Sequence, residues 1–135
     1  MKNNSISLFR FALLTILLMT VAACSPGLER YGGFAGQVTI GPLQPAHQVG
    51  QEIPTPAPEV YAAREIVVFL SDGKTEFTRF QIGPTGIFQE ELPVGVYVID
   101  INHLGIDSAE GLPVQIEIRE NVVTRLNIDI DTGIR

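Results

Sequence analysis

From residue 34 onward, apolar side chains recur at every second position in short runs separated by turn residues, the period of half-buried β-strands. Phe34, Gly36, Val38 and Ile40 share one face of a first strand over 34–40, with Gln37 and Thr39 on the other. A second strand over 64–71 is apolar on both faces through Ile66, Val67, Val68, Phe69 and Leu70, the signature of a central strand. Asp72-Gly73 tolerates positive φ at both positions and predicts a hairpin into a third strand over 75–82. After the turn Gly83-Pro84-Thr85-Gly86, a fourth strand over 86–92 sets Phe88 and Leu92 against Gln89 and Glu91. Pro93-Val94-Gly95 turns into a fifth strand over 96–102, with Tyr97, Ile99 and Ile101 on one face. A sixth strand over 114–119 alternates Val114, Ile116 and Ile118 with Gln115, Glu117 and Arg119. The strongest alternation ends the chain, over 122–131. There Val122, Thr124, Leu126, Ile128 and Ile130 oppose Arg125, Asn127, Asp129 and Asp131. The pattern predicts an all-β fold, a seven-stranded antiparallel β-sandwich, with no amphipathic helix and no internal repeat.

Two stretches lack this period. Residues 41–59 hold Pro42, Pro45, Pro54, Pro56 and Pro58, which rules out a central strand because proline has no amide to donate. Residues 103–111 form a loop carrying His103, Asp107, Ser108 and Glu110. Connections on a rigid sandwich carry binding more often than its strands do. The candidate binding loops are therefore the proline-rich insertion, with Pro54, Pro56 and Pro58 in an extended polyproline-like shape, and the loop presenting His103, Asp107 and Glu110.

The N-terminus has a different texture. Residues 1–10 are mainly polar and contain Lys2 and Arg10, and residues 11–23 are apolar apart from Thr15 and Thr20. A charged segment before a short apolar run predicts a cleaved secretory signal peptide, since a bilayer span needs about 20 apolar residues. Val21-Ala22-Ala23-Cys24 resembles the lipobox of bacterial lipoproteins. That resemblance implies cleavage between Ala23 and Cys24, a thioether-linked diacylglycerol on the Cys24 thiol, and a further acyl chain such as palmitate on the new amino group. Cys24 is the only cysteine, so it has no disulfide partner within the chain. At about 0.8 kcal/mol per buried methylene, two or three chains anchor stably where one does not.

Composition changes the picture in one respect. Of 135 residues, nine are Lys or Arg and fifteen are Asp or Glu. Lys2 and Arg10 leave with the signal, so seven basic residues face fifteen acidic ones in the mature chain, a formal −8. An acidic domain is a poor ligand for nucleic acid and for anionic headgroups, and the expected attachment to the membrane is through the N-terminal lipid alone. The expected layout is a signal peptide at 1–23, a tether at 24–33, and a sandwich at 34–135 with its insertion at 41–59.

A second resemblance lies in Gly86-Ile87-Phe88-Gln89-Glu90-Glu91-Leu92-Pro93-Val94-Gly95-Val96-Tyr97-Val98-Ile99. It is similar to the aromatic strand, Leu-Pro-x-Gly-x-Tyr turn and return strand of carboxypeptidase regulatory-like domains. These are transthyretin-like (prealbumin-like) sandwiches, related in shape to the B-type repeats of Gram-positive surface proteins. Gly36-Gln37-Val38-Thr39 resembles the family's first strand, and residues 114–130 its last hairpin. The resemblance implies that Leu92 and Tyr97 pack inward, that Gly95 takes a conformation closed to other residues, and that the domain is accessory or structural, with no catalytic residues to carry over. The long insertion after the first strand departs from the family. B-type repeats often carry a Lys–Asn isopeptide bond from a core lysine on the first strand. The only lysine after the signal is Lys74, beside a hairpin, so no such crosslink is expected.

Other chemistries are weak on the residues present. Ile130-Asp131-Thr132-Gly133 matches the Asp-Thr-Gly of aspartic proteases, but it occurs once, and a proteolytic dyad needs two facing aspartates. Asp107, Glu110, Asp129 and Asp131 could offer oxygens to calcium, in a spacing that fits no EF-hand loop. His47 and His103 have no ligand-spaced partner. Neither a metal, a cofactor nor a catalytic set is expected. The expectation is a non-enzymatic lipoprotein of the cell envelope, exposed outside the cytoplasm, binding an envelope protein or glycan. The alternative is an accessory subunit of an envelope hydrolase or transporter.

Overall fold

The computed structural model describes residues 29–44 and 55–134. Nine strands and one short helix follow in the order β1 (Tyr31–Gly41), α1 (Pro58–Ala62), β2 (Glu65–Leu70), β3 (Glu76–Gln81), β4 (Ile87–Pro93), β5 (Gly95–Ile101), β6 (Ser108–Ala109), β7 (Val114–Ile118), β8 (Val123–Arg125) and β9 (Ile128–Asp131). They form two facing sheets. One runs β4-β1-β9-β6, with β8 also paired to β1; the other runs β3-β2-β5-β7. The all-β sandwich is as expected, but among the described residues it has nine strands rather than seven.

Most inward residues are those the alternation marks; Val122 departs from it, on the turn before β8 and 49% exposed. Phe34, Val38, Ile66, Val68, Ile99 and Ile118 are fully buried between the sheets. Phe34 and Phe88 of the first sheet meet at 5.0 Å between ring centroids, and Phe80 of the second sheet lies 5.8 Å from Phe88, so one aromatic trio spans both layers. β2, apolar on both faces, is interior to its sheet, between β3 and β5. Asp72 closes the β2–β3 hairpin by accepting the amides of Lys74 and Thr75, while Gly73 adopts φ +65°. Leu92 and Tyr97 are buried, and the Tyr97 hydroxyl donates to the Pro93 carbonyl at 3.0 Å.

Four expectations change. First, the sandwich is not purely antiparallel: β1 pairs antiparallel with β4 but parallel with β8 and β9. Second, residues 114–131 are not a hairpin. β7 is an edge of the second sheet beside β5, and the turn after it carries the chain across to the first sheet. Alternation assigns faces, not neighbours, so it could not distinguish these pairings. The last strand is also split. The Leu126 carbonyl tucks against Gly36, where an ideal Cβ would lie 1.7 Å from that oxygen, and the Asn127 side chain instead accepts the Gln37 amide. Third, Gly95 is not in the left-handed region. That role falls to Gly86 at φ +83°, where a Cβ would lie 2.5 Å from the Val38 carbonyl oxygen. Fourth, a helix exists. Pro58 opens α1, its φ already set for a first helical turn, and Glu59 places its carboxylate in that turn. Tyr61 then turns into the core against Gly86. In addition, β1 begins at Tyr31, so the last three residues of the expected tether belong to the sandwich.

β1 fixes the long axis. Eleven residues at about 3.3 Å per residue separate its ends by about 33 Å. Its first residues lie beside Pro93, Val94 and Asn121, and its last beside Asp131 and Thr132.

Candidate functional site

Both candidate binding regions have their described parts at the far end of β1. Strand β1 runs out through Gly41 into Pro42, where the Gly41 carbonyl accepts the Thr132 amide at 3.1 Å and the Pro42 carbonyl accepts the Thr132 hydroxyl. The segment returning from the insertion re-enters as α1 and is fastened to the 103–111 loop by Arg64. Its Nε donates to Asp107 Oδ2 at 2.6 Å, one terminal amine reaches Oδ1 at 3.2 Å, and the other donates to the Val60 carbonyl at 2.8 Å. Both side chains are buried, at 11% and 5% exposure. A planar guanidinium facing both carboxylate oxygens satisfies the charges that burial strips of water. Asn102 adds two ties: its side-chain amide donates to the Ala63 carbonyl at 3.3 Å and its backbone amide to Glu65 at 3.2 Å.

His103 stands at the base of the loop in a left-handed conformation, φ +43°. Nδ1 lies 3.2 Å from the Asp107 carbonyl oxygen and Nε2 lies 3.0 Å from Asp100 Oδ1. Both neighbours are acceptors, so only the imidazolium, with a proton on each nitrogen, makes both bonds. The hydrogen bond to the Asp107 carbonyl raises its pKa above the ordinary histidine value; burial opposes it, and the charge and hydrogen bond of Asp100 with the charge of Asp107 add to the rise. With both nitrogens engaged, His103 has none left to take a proton from a nucleophile. Beyond it the loop presents Leu104 and Ile106, the latter 74% exposed.

The sequence-derived site residues therefore separate. Glu110 and His103 are exposed on the loop, Pro58 is exposed in the first turn of α1, and Pro56 is half-buried just before it. Asp107 points inward and is occupied by Arg64, so it does not offer its carboxylate to a ligand in solution. Ala23, Cys24, His47 and Pro54 lie outside the described residues. Arg64 and Asp100 carry structural weight that pattern reading passed over. The one available signal for Arg64 was a guanidinium one residue short of the wholly apolar run Ile66 to Leu70, with Glu65 between.

A shallow groove of about 510 Å³ lies beside the loop, with Thr39, Ser108, Glu110, Asp129 and Asp131 among its walls. Thr39 donates its hydroxyl to Asp129, and Asp131 accepts the Gly133 amide at 2.8 Å. Asp131-Thr132-Gly133 is thus a capped strand end. Among the described residues no three acidic, histidine or cysteine side chains are grouped to hold a metal ion. What this end offers is a framed surface of mixed apolar and acidic character.

No protein-family model matches the chain, and neither does any curated protein. Among solved structures it is similar to GBS52, the minor pilin of Streptococcus agalactiae, at TM-score 0.50 and 10% identity over 76% of this chain and 45% of that one. It also resembles a DUF3823 family protein from Parabacteroides merdae, at TM-score 0.45 and 16% identity over 76% of this chain and 46% of that one. A third similarity is to the Bacillus anthracis TIE protein, at TM-score 0.46 and 16% identity, over 75% of this chain and 17% of that one. The chain spans less than half the length of each of these proteins. At these identities the pilin likeness speaks to the fold, a two-sheet β-sandwich, and to the fold alone.

Proposed function

We infer that this chain is a lipid-anchored module of the cell envelope, whose sandwich holds a non-catalytic interaction surface for an envelope protein or glycan. The observation that carries the reading is the meeting of the insertion's returning arm and the 103–111 loop at one end, locked by the Arg64–Asp107 pair. A buried ion pair spent on fixing two surface segments suits a surface that must keep its shape for a partner. The pilin likeness is compatible with a module of this kind. The anchor itself rests on Val21-Ala22-Ala23-Cys24, with Cys24 the only thiol in the chain. Mass spectrometry of the membrane-extracted protein tests it: a mature N-terminus at Cys24 carrying acyl chains is expected, and retention of acyl label in Cys24→Ser would overturn it. The interaction surface is tested by photo-crosslinking in intact cells from positions 104, 106 and 59, against control positions 115 and 117 on the outer face of the second sheet. A partner captured from the first set and not from the second is expected; equal capture from both sets would sink the assignment.

A further inference from the structure

Both ends of the sandwich expose apolar side chains, Leu104 and Ile106 at the loop end and a set of five at the other. At the end where β1 begins, Tyr31, Val94, Val96, Val122 and Val123 are each between 38% and 53% exposed. Backbone bonds gather them: the Val94 amide donates to the Arg30 carbonyl at 2.8 Å, the Asn121 amide to Tyr31 at 3.1 Å, and the Gly33 amide to Val122 at 2.9 Å. Tyr31, Val122 and Val123 line one depression in the outer surface of the first sheet. The described chain enters at this end, at Glu29.

We propose that this apolar rim is a membrane-resting surface, which sits on the lipid headgroup region of the bilayer carrying the chain's own acyl anchor and so presents the 103–111 loop outward. The inference rests on the anchoring reading above. Its occupant follows from chain length. Cys24 precedes Glu29 by five residues, which reach at most about 18 Å when fully extended. The rim is therefore held within one short span of the headgroups, while the 103–111 loop lies about 33 Å further along β1. Tethering converts a weak contact into an intramolecular one at high effective concentration, so a few partly exposed side chains suffice. An amphipathic aromatic residue such as Tyr31 suits that interface.

Charge decides which membrane suits. Arg30 is paired with Glu120 at 3.5 Å and Arg119 with Glu117 at 2.6 Å, and Glu29, Glu90 and Glu91 add negative charge along the same depression. The contact is apolar, not a basic patch seeking anionic lipid, and anionic headgroups weaken it.

The test uses the full chain, processed and lipidated in cells and reconstituted into phosphatidylcholine vesicles. The thioether at Cys24 leaves an added cysteine as the only free thiol. An environment-sensitive fluorophore is placed in turn at V94C, V123C and I106C, and headgroup-nitroxide lipid serves as quencher. Quenching at 94 and 123 several-fold above that at 106 is expected, decreasing as phosphatidylglycerol replaces phosphatidylcholine and in the V122S/V123S background for the label at 94. Equal quenching at both ends overturns the inference while the anchor stands. Shielding of the label at 123 without lipid quenching also overturns it, in favour of a second copy of the chain on this face. Absence of acyl chains from the intact mass overturns the anchoring reading and this inference together, and is read independently of the fluorescence.

Discussion

Arg64 and Asp107 lie 43 residues apart in sequence and meet 2.6 Å apart beneath the loop end of the sandwich. Neither belongs to a strand, yet together they join the segment that returns from the proline-rich insertion to the loop that follows β5. Asp107→Ala leaves a guanidinium with 11% exposure and no carboxylate, and a cost of about 3–5 kcal/mol is expected in urea denaturation. The double variant Arg64→Met, Asp107→Leu removes both charges and should recover most of that loss, while the amides of the 103–111 loop exchange faster than in the parent protein.

The loop also responds to pH through His103. Its folded pKa is raised, first by the hydrogen bond to the Asp107 carbonyl and then by Asp100. A raised histidine pKa contributes stability that is fully present below the unfolded value of about 6.5, and that contribution is lost as pH rises through the higher folded value. The charged groups facing the ring are Asp100 from β5 and Asp107 from the loop, and the Asp107 carboxylate is itself engaged by Arg64. Proton-detected titration of the ring should place its midpoint above 6.5, and hydrogen-exchange protection at 104–107, corrected for the intrinsic rise of exchange with pH, should fall across the same range. Asp100→Asn should move the midpoint down. Unaltered protection across the titration would mean that the ring does not brace the loop.

Gly36 is the glycine whose missing side chain sets the architecture. A Cβ there would fall 1.7 Å from the Leu126 carbonyl oxygen and 2.8 Å from the Phe88 ring, so backbone has to move. Gly36→Ala is expected to destabilise by about 3 kcal/mol, at the upper end of overpacking costs. Gly41→Ala meets nothing within 4 Å and should stay within about 0.5 kcal/mol of the parent. Thermal unfolding of the two variants side by side separates close approach from a general intolerance of β1 to substitution.

The same glycine marks the boundary of what the chain discloses as text. The faces of nearly every strand were legible, because a period of two leaves no freedom once one face is buried: Ile99 and Ile101 are interior, as their alternation with Val98 and Asp100 requires. The interior place of β2 was legible too, since a strand apolar on both faces has to be covered on both. The parallel pairing of β1 with β9 was not. Ile128 and Ile130 point inward whichever strand lies beside them, and only the stretch around Leu126 and Asn127, where the chain steps over Gly36, reveals the neighbour. Asp107 illustrates a different limit. A carboxylate in a polar loop reads as solvated unless its partner is known, and its partner lies 43 residues earlier, just after the insertion and on the far side of four strands in the chain order.

Packing sets the last contrast. Phe34 is fully buried at the meeting of the sheets, 5.0 Å from Phe88 and 6.2 Å from Phe80 between centroids. Truncation to alanine removes the transfer energy of the ring and leaves a void that two flanking aromatic rings cannot close without leaving their own contacts, so Phe34→Ala should cost about 3–5 kcal/mol. Ile87 sits on β4, 58% exposed, and Ile87→Ala should cost about 0.5 kcal/mol or less. Both are read by chemical denaturation with the slope compared between variants. A smaller slope for Phe34→Ala would mark a loss of two-state cooperativity or a changed unfolded ensemble, the first being expected where the aromatic trio is the packing that joins the two layers at that level.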